Sequence, residues 1–229
     1  MENPSDTIPN FGAKLVFRVV VFILVFPLIL IAPSGTFQYW QAWMYFGCIL
    51  IVAIPLLVWF YRTNPGLLAK RMRFKEKREP QKKIILLGDV ILLLVFIIPG
   101  LDIRFGWSDL PDWVCILAEC FALAGYGLII RVFAENQYAS RVVEVNEGQM
   151  VISSGPYSVV RHPMYLGSTI FYLFTPIALG SLWALMPALL VIPMLVARII
   201  DEEALLRQEL PGYNEYTAKV RYRLLPGIW

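Results

Sequence analysis

Four apolar runs, 14–32, 41–60, 84–101 and 113–133, are spaced along the first 133 residues and separated by short polar links. Each approaches the roughly 20 residues a helix needs to cross a hydrocarbon core about 30 Å thick, so the pattern predicts four spanning helices. A further apolar block, 164–200, is long enough for two passes, and Gly180-Ser181 interrupts it near the middle, as a turn between two returning arms would. Pro176, Pro187 and Pro193 predict kinks in those arms, which membranes tolerate where neighbours or water satisfy the freed carbonyls. The expected fold is all-α: a single polytopic integral membrane domain over 1–229, with about six passes and the last two forming a helical hairpin. Residues 1–133 supply four N-terminal helices, and 134–229 supply a polar-rich region around the hairpin.

Composition agrees with this reading. The chain is 58% hydrophobic and 16% charged, against about 25% charged in soluble domains. The first run is too long for a cleavable signal and lacks a small-residue cleavage site, so it is expected to persist. Cys48, Cys115 and Cys120 lie within or at the start of apolar runs and read as packed thiols. With one histidine and no clustered cysteines, no zinc or haem site is expected. The net charge of +3 is small, so nucleic acid is not an expected partner.

Charge sets the expected orientation. Residues 62–83 carry nine Lys/Arg against two Glu, whereas 99–112 carry one Arg against three Asp. Positive residues favour the cytoplasmic side, which predicts both termini, 134–162 and 201–229 in the cytoplasm, with the links near 33–37 and 99–112 outside. The basic run itself reads as a topology signal that also attracts anionic lipid headgroups.

Two polar stretches remain, both on the expected cytoplasmic side. The first, 134–162, holds Glu135, Asn136, Gln137, Tyr138, Arg141, Glu144 and Glu147, then Gly155-Pro156-Tyr157 and Arg161-His162-Pro163. The second follows the last apolar block with Arg198, Asp201, Glu202 and Glu203. On a helix Arg198 and Glu202 share a face while Glu203 points about 100° away, so the cluster presents charge in two directions. Snorkelling at a membrane surface explains such a cluster as well as a site does. Pro163 holds His162 out of the helical region and suits the first turn of a following helix.

The stretch SSGPYSVVRHPMYLG at 153–167, with RIIDEEALL and then YNEYTAKVRYRLLP further on, resembles the isoprenylcysteine carboxyl methyltransferase family and related membrane phospholipid methyltransferases. The resemblance covers about 130–229. It implies a membrane enzyme that uses S-adenosylmethionine without a Rossmann domain, in keeping with the lack of a βαβ glycine fingerprint. By the same resemblance, His162, Pro163 and Tyr165 would line the cofactor pocket, Glu203 would hold the cofactor's ammonium group, and Tyr213 and Tyr216 would close over it. Arg198 and Glu202 would organise the acceptor side as catalytic residues, with Arg161, Arg198 and Arg221 binding substrate.

The acceptor stays open at this level. A carboxylate is already ionised at neutral pH and suits a forked arginine contact, as in isoprenylcysteine carboxyl methylation, whereas an amine needs a base such as Glu202. The implied partners are membrane lipid and a lipid-like or small hydrophobic methyl acceptor, with no obligate protein partner. Two other functions fit the residues: a nicotinamide-dependent sterol-type membrane reductase, and a non-catalytic scaffold or transporter. Against transport, the charges flank the hairpin and do not lie at the bilayer midplane.

Overall fold

The computed structural model describes residues 10–63, 65–71, 79–139, 145 and 148–229. Arg141, Glu144 and Glu147 lie outside these residues, as does much of the basic run, including 72–78. The described residues form helices and no strand: α1 Phe11–Ser34, α2 Trp40–Thr63, α3 Pro65–Arg71, α4 Glu79–Phe105, α5 Asp112–Glu135, α6 Pro163–Ala178, α7 Leu185–Leu189, α8 Val191–Glu209 and α9 Tyr213–Lys219.

Four helices among the described residues are long and apolar enough to cross a membrane: α1, α2, the Ile84–Phe105 part of α4, and α5. They coincide with the four apolar runs of the sequence. Their outward faces carry exposed Phe17, Leu24, Ile51, Leu86 and Ile116, the surface expected where side chains meet lipid. The block 164–200 divides differently. α6 has 16 residues, the chain turns at Gly180 with φ +80°, and the return is split at Leu190 into the short α7 and the longer α8. The second half of α8 is charged, which removes it from the apolar count. Pro193 sits in the first turn of α8, where a proline costs little.

Glycine lets the helices approach backbone to backbone. A Cβ on Gly125 of α5 would lie 2.7 Å from the Gly167 carbonyl oxygen and 2.7 Å from the Phe171 nitrogen of α6. Small residues of this kind allow the close packing that drives helix association in lipid, where burial alone contributes little. α1 and α4 run parallel: Phe26 meets Phe96 edge-on at 4.9 Å, and one turn further along each helix a Cβ on Gly100 would lie 2.8 Å from the Leu30 carbonyl.

The two ends of the bundle differ in chemistry. At one end Asp102, 1% exposed, accepts hydrogen bonds from the Ser108 amide at 2.7 Å, the Ser108 hydroxyl at 2.7 Å and the Ser181 hydroxyl at 2.5 Å. The Tyr39 hydroxyl donates to the Leu179 carbonyl at the same end. These bonds join the links that follow α1, α4 and α6 and satisfy a carboxylate that would be costly to bury alone. The C-terminal end of α5, the start of α6 and the charged half of α8 meet at the other end.

Candidate functional site

The turn after α5 is held by α5 itself. Ser154 Oγ donates to Glu135 Oε1 at 2.5 Å, and the Asn136 amide donates to the Tyr157 hydroxyl at 2.8 Å. Gly155 takes φ +55°, and a Cβ there would meet Glu135 Oε2 at 2.8 Å, so glycine is needed on both counts. The 3-10 turn Gly155–Ser158 follows. Pro163 then opens α6, with His162 outside the helix at φ −123° and ψ 60°, as the sequence predicts.

Glu203 of α8, 2% exposed, gathers three arginines and a histidine. Arg161 Nε donates to Oε1 at 2.7 Å, and His162 Nε2 lies 3.2 Å from the same oxygen. Arg223 Nε donates to Oε2 at 3.0 Å, and Arg207 Nη2 stands 3.7 Å from it. Burial alone pushes the Glu203 carboxyl up, but the hydrogen bonds and charges of His162 and Arg161 outweigh it and hold the group down to about 2.

The same arginine fastens the C-terminal segment. Arg161 Nη1 donates to the Val220 and Arg221 carbonyls at 3.0 and 2.9 Å. The Arg161 and His162 amides donate to the Tyr222 and Arg223 carbonyls, each at 2.9 Å. Residues 220–223 are thus bonded along the Arg-His dipeptide, and Arg223 lies over the Trp229 ring at 5.1 Å.

Glu202 faces the other way. The Tyr165 hydroxyl donates to Glu202 Oε2 at 2.5 Å and accepts from Arg198 Nε at 2.9 Å, so one phenol joins a base and an acid that are four residues apart on α8. His162 stacks on Tyr165, with ring centroids 5.6 Å apart.

These side chains border a polar cavity of about 110 Å³ between the start of α6, α8 and α9. Arg161, His162, Pro163, Tyr165, Arg198, Glu202, Tyr213 and Tyr216, eight of the residues singled out from the sequence, line it. Glu203 and Arg221 are not in its lining; the Arg221 side chain is exposed, and only its carbonyl reaches Arg161. Tyr216 donates to the Tyr157 carbonyl at 2.7 Å, which ties α9 to the 3-10 turn. Tyr213 is buried, and its hydroxyl has no hydrogen-bond partner among the described residues. Burial, with the charges of Glu203 and Glu202, pushes that hydroxyl well above the usual phenol range, so it keeps its proton and can donate.

Beyond Tyr165 the surroundings turn apolar. A cleft of about 400 Å³ between α4, α5, α6 and α8 shares Met164, Tyr165 and Arg198 with the polar cavity, and its other walls include Ile84, Ile129 and Met194. An ionic cavity therefore adjoins a greasy one across Met164, Tyr165 and Arg198.

Residues 113–210 match the family model for phospholipid methyltransferase. This family is related to the isoprenylcysteine carboxyl methyltransferases that 130–229 resemble. The matched region covers less than half of the chain, from α5 to the end of α8, and holds every cavity-lining residue named above except Tyr213 and Tyr216. No curated protein matches the chain. The match and the four apolar helices fit a membrane methyltransferase.

Sequence reasoning did not place Asn136, Tyr157, Leu206 and Leu210 in the cavity lining. Tyr157 had a signal, since it closes the Gly-Pro-Tyr motif. Leu206 follows Glu202 by four residues and so shares its face of α8.

Proposed function

We propose that the protein is an integral membrane S-adenosylmethionine-dependent methyltransferase acting on an amphiphilic, lipid-like acceptor. The observation that carries this reading is the junction at Tyr165 and Arg198 between a polar cavity and an apolar cleft. A soluble charged cofactor and a membrane-borne acceptor need such adjoining compartments.

The residues fit the cofactor. Its ammonium and sulfonium charges call for a carboxylate inside the cavity, which Glu202 supplies, and its carboxylate calls for donors, which Arg161 and the unpartnered Tyr213 hydroxyl supply. Tyr157 and Tyr216 offer aromatic surface. When bound, the group supplies an electrophilic methyl for in-line displacement, so the chain's main tasks are alignment and exclusion of water. Glu203 acts at one remove in this account: occupied by Arg161, His162 and Arg223, it fixes the residues that border the cavity and locks 220–223 across them. Arg198 orients the head of the acceptor, with Tyr165 holding the guanidinium at the junction.

In the same account α6 and the α7–α8 return complete about six passes as a hairpin, and the cavity end of the bundle faces the cytoplasm with both termini. The positive-inside bias of 62–83 supports that orientation.

The test is incubation of the purified protein with methyl-labelled S-adenosylmethionine and a total lipid extract, followed by mass analysis. The expected result is an amphiphile that gains one labelled methyl. Absence of any labelled lipid, together with binding of NADPH, would replace this reading by the reductase.

A further inference from the structure

A carboxylate lies deeper along the apolar route. Asp89 is the sixth residue of the apolar part of α4 that starts at Ile84. It borders the cleft that reaches Tyr165 and Arg198, and also a second chamber of about 480 Å³ between α1, α2, α4, α5 and α6. Leu92, Tyr126 and Tyr172 border both spaces as well. Asp89 and the two tyrosines are thus polar side chains at the waist of a route whose remaining walls are largely aliphatic and aromatic.

Among the described residues, Asp89 is the only acidic side chain in the lining of either space. A charge placed inside a span is costly and usually marks a site. Offset of that cost is available nearby: the parallel register of Phe26 with Phe96 and Leu30 with Gly100 puts Arg18 of α1 level with the turn of α4 that holds Asp89. A carboxylate accepts about four hydrogen bonds, so a cation on one side leaves it able to accept another donor from the cleft.

We propose that Asp89 is a specificity-determining residue that accepts a hydrogen bond from a hydroxyl or ammonium carried on the apolar body of the acceptor, away from the group that is methylated. The inference rests on the reading of the cleft as the acceptor's route. It narrows the acceptor to amphiphiles with a second polar group, and it disfavours those whose second group is an anion.

The test reads binding without methyl transfer, so it stands or falls separately from the enzymatic reading. Purified full-length protein in lipid nanodiscs is titrated with 1-dodecanol, dodecylammonium, dodecanoate and dodecane, and thermal unfolding is followed. The alcohol and the ammonium are expected to raise the melting temperature at lower concentrations than dodecane, and the response to dodecanoate, which Arg198 can take, to be the same in the native protein and in the Asp89 variants. Asp89→Asn should keep the preference for the alcohol and weaken the ammonium about tenfold or more, the loss typical of a charged hydrogen bond. Asp89→Leu should abolish both preferences and leave the dodecane response in place. Equal responses of the native protein to all four probes would overturn the proposal, as would an Asp89→Asn variant with an unchanged ammonium response. Calorimetric binding of S-adenosylhomocysteine, measured on the same samples, shows whether the cofactor cavity is intact in each variant.

Discussion

Glu202 and Glu203 are neighbours in sequence and serve different faces of α8. Glu202 accepts the Tyr165 hydroxyl at 2.5 Å on the cavity side, whereas Glu203 is bonded by Arg161 at 2.7 Å and Arg223 at 3.0 Å behind it. The step of about 100° between successive helical residues makes this separation automatic. One carboxylate is left facing the cavity, and the other holds together the walls.

Different consequences are expected when each is neutralised. Glu202→Gln removes a cavity charge but keeps an oxygen that can accept the Tyr165 hydroxyl, so the melting temperature should fall less than in Glu203→Gln while affinity for S-adenosylmethionine falls about tenfold or more. Glu203→Gln leaves Arg161 and His162 buried beside a neutral amide, a defect worth about 3 kcal/mol or more, and the melting temperature should fall by several degrees. Melting curves and calorimetry on the two variants compare these outcomes directly.

Stability should also depend on pH through Glu203. Its carboxyl is held down to about 2, below the ordinary 4.5, so the folded state binds its proton less readily than the unfolded chain. The resulting stabilisation is complete above about pH 4.5 and is lost as the pH falls from there towards 2. Melting temperatures in detergent between pH 6 and pH 2.5 should decline in this window, and Glu203→Gln should flatten that part of the curve.

The phenol of Tyr165 links Arg198 to Glu202, and removing it should separate turnover from binding. Tyr165→Phe keeps the ring that stacks on His162 but frees both charged groups to move. Turnover should drop roughly ten- to a hundredfold, as a misplaced orienting group entails, with a smaller change in cofactor affinity. Equal losses in both would make Tyr165 a cofactor ligand and not a link.

Packing of α5 on α6 places the turn and the Arg-His-Pro segment. Gly125→Ala would set a methyl 2.7 Å from two backbone atoms of α6, where neither can yield, at a cost of about 1–3 kcal/mol or more. Gly127→Ala meets nothing within 4 Å and should be silent. Yield of monodisperse protein and its melting temperature distinguish the two.

The sequence was informative where one physical rule acts alone. Length and apolarity located α1, α2, α4 and α5, because a single long apolar segment satisfies its own backbone in lipid only as a helix. Proline geometry at Pro163 located the start of α6. Helical spacing showed that Arg198 and Glu202 share a face and that Glu203 leaves it. What the sequence did not show was which partners the second face meets: Glu203 is saturated by Arg161, His162 and Arg223, and Arg223 arrives from a segment that has no periodicity of its own. Tyr213 was expected to close the cavity, but its unpartnered hydroxyl follows only from the packing of α9. The split of the last return into α7 and α8 at Leu190 was equally hidden, since Pro187 and Pro193 mark a kink without fixing where the helix breaks.

The central claim is that the cavity between the start of α6, α8 and α9 holds S-adenosylmethionine. The most direct measurement is calorimetric titration of the purified, folded protein with S-adenosylmethionine, alongside Glu202→Gln. The account expects saturable binding at one site per chain, weakened at least about tenfold by the substitution. A folded preparation that gives no binding heat up to millimolar ligand, or a Glu202→Gln variant that binds as tightly as the native protein, would contradict it.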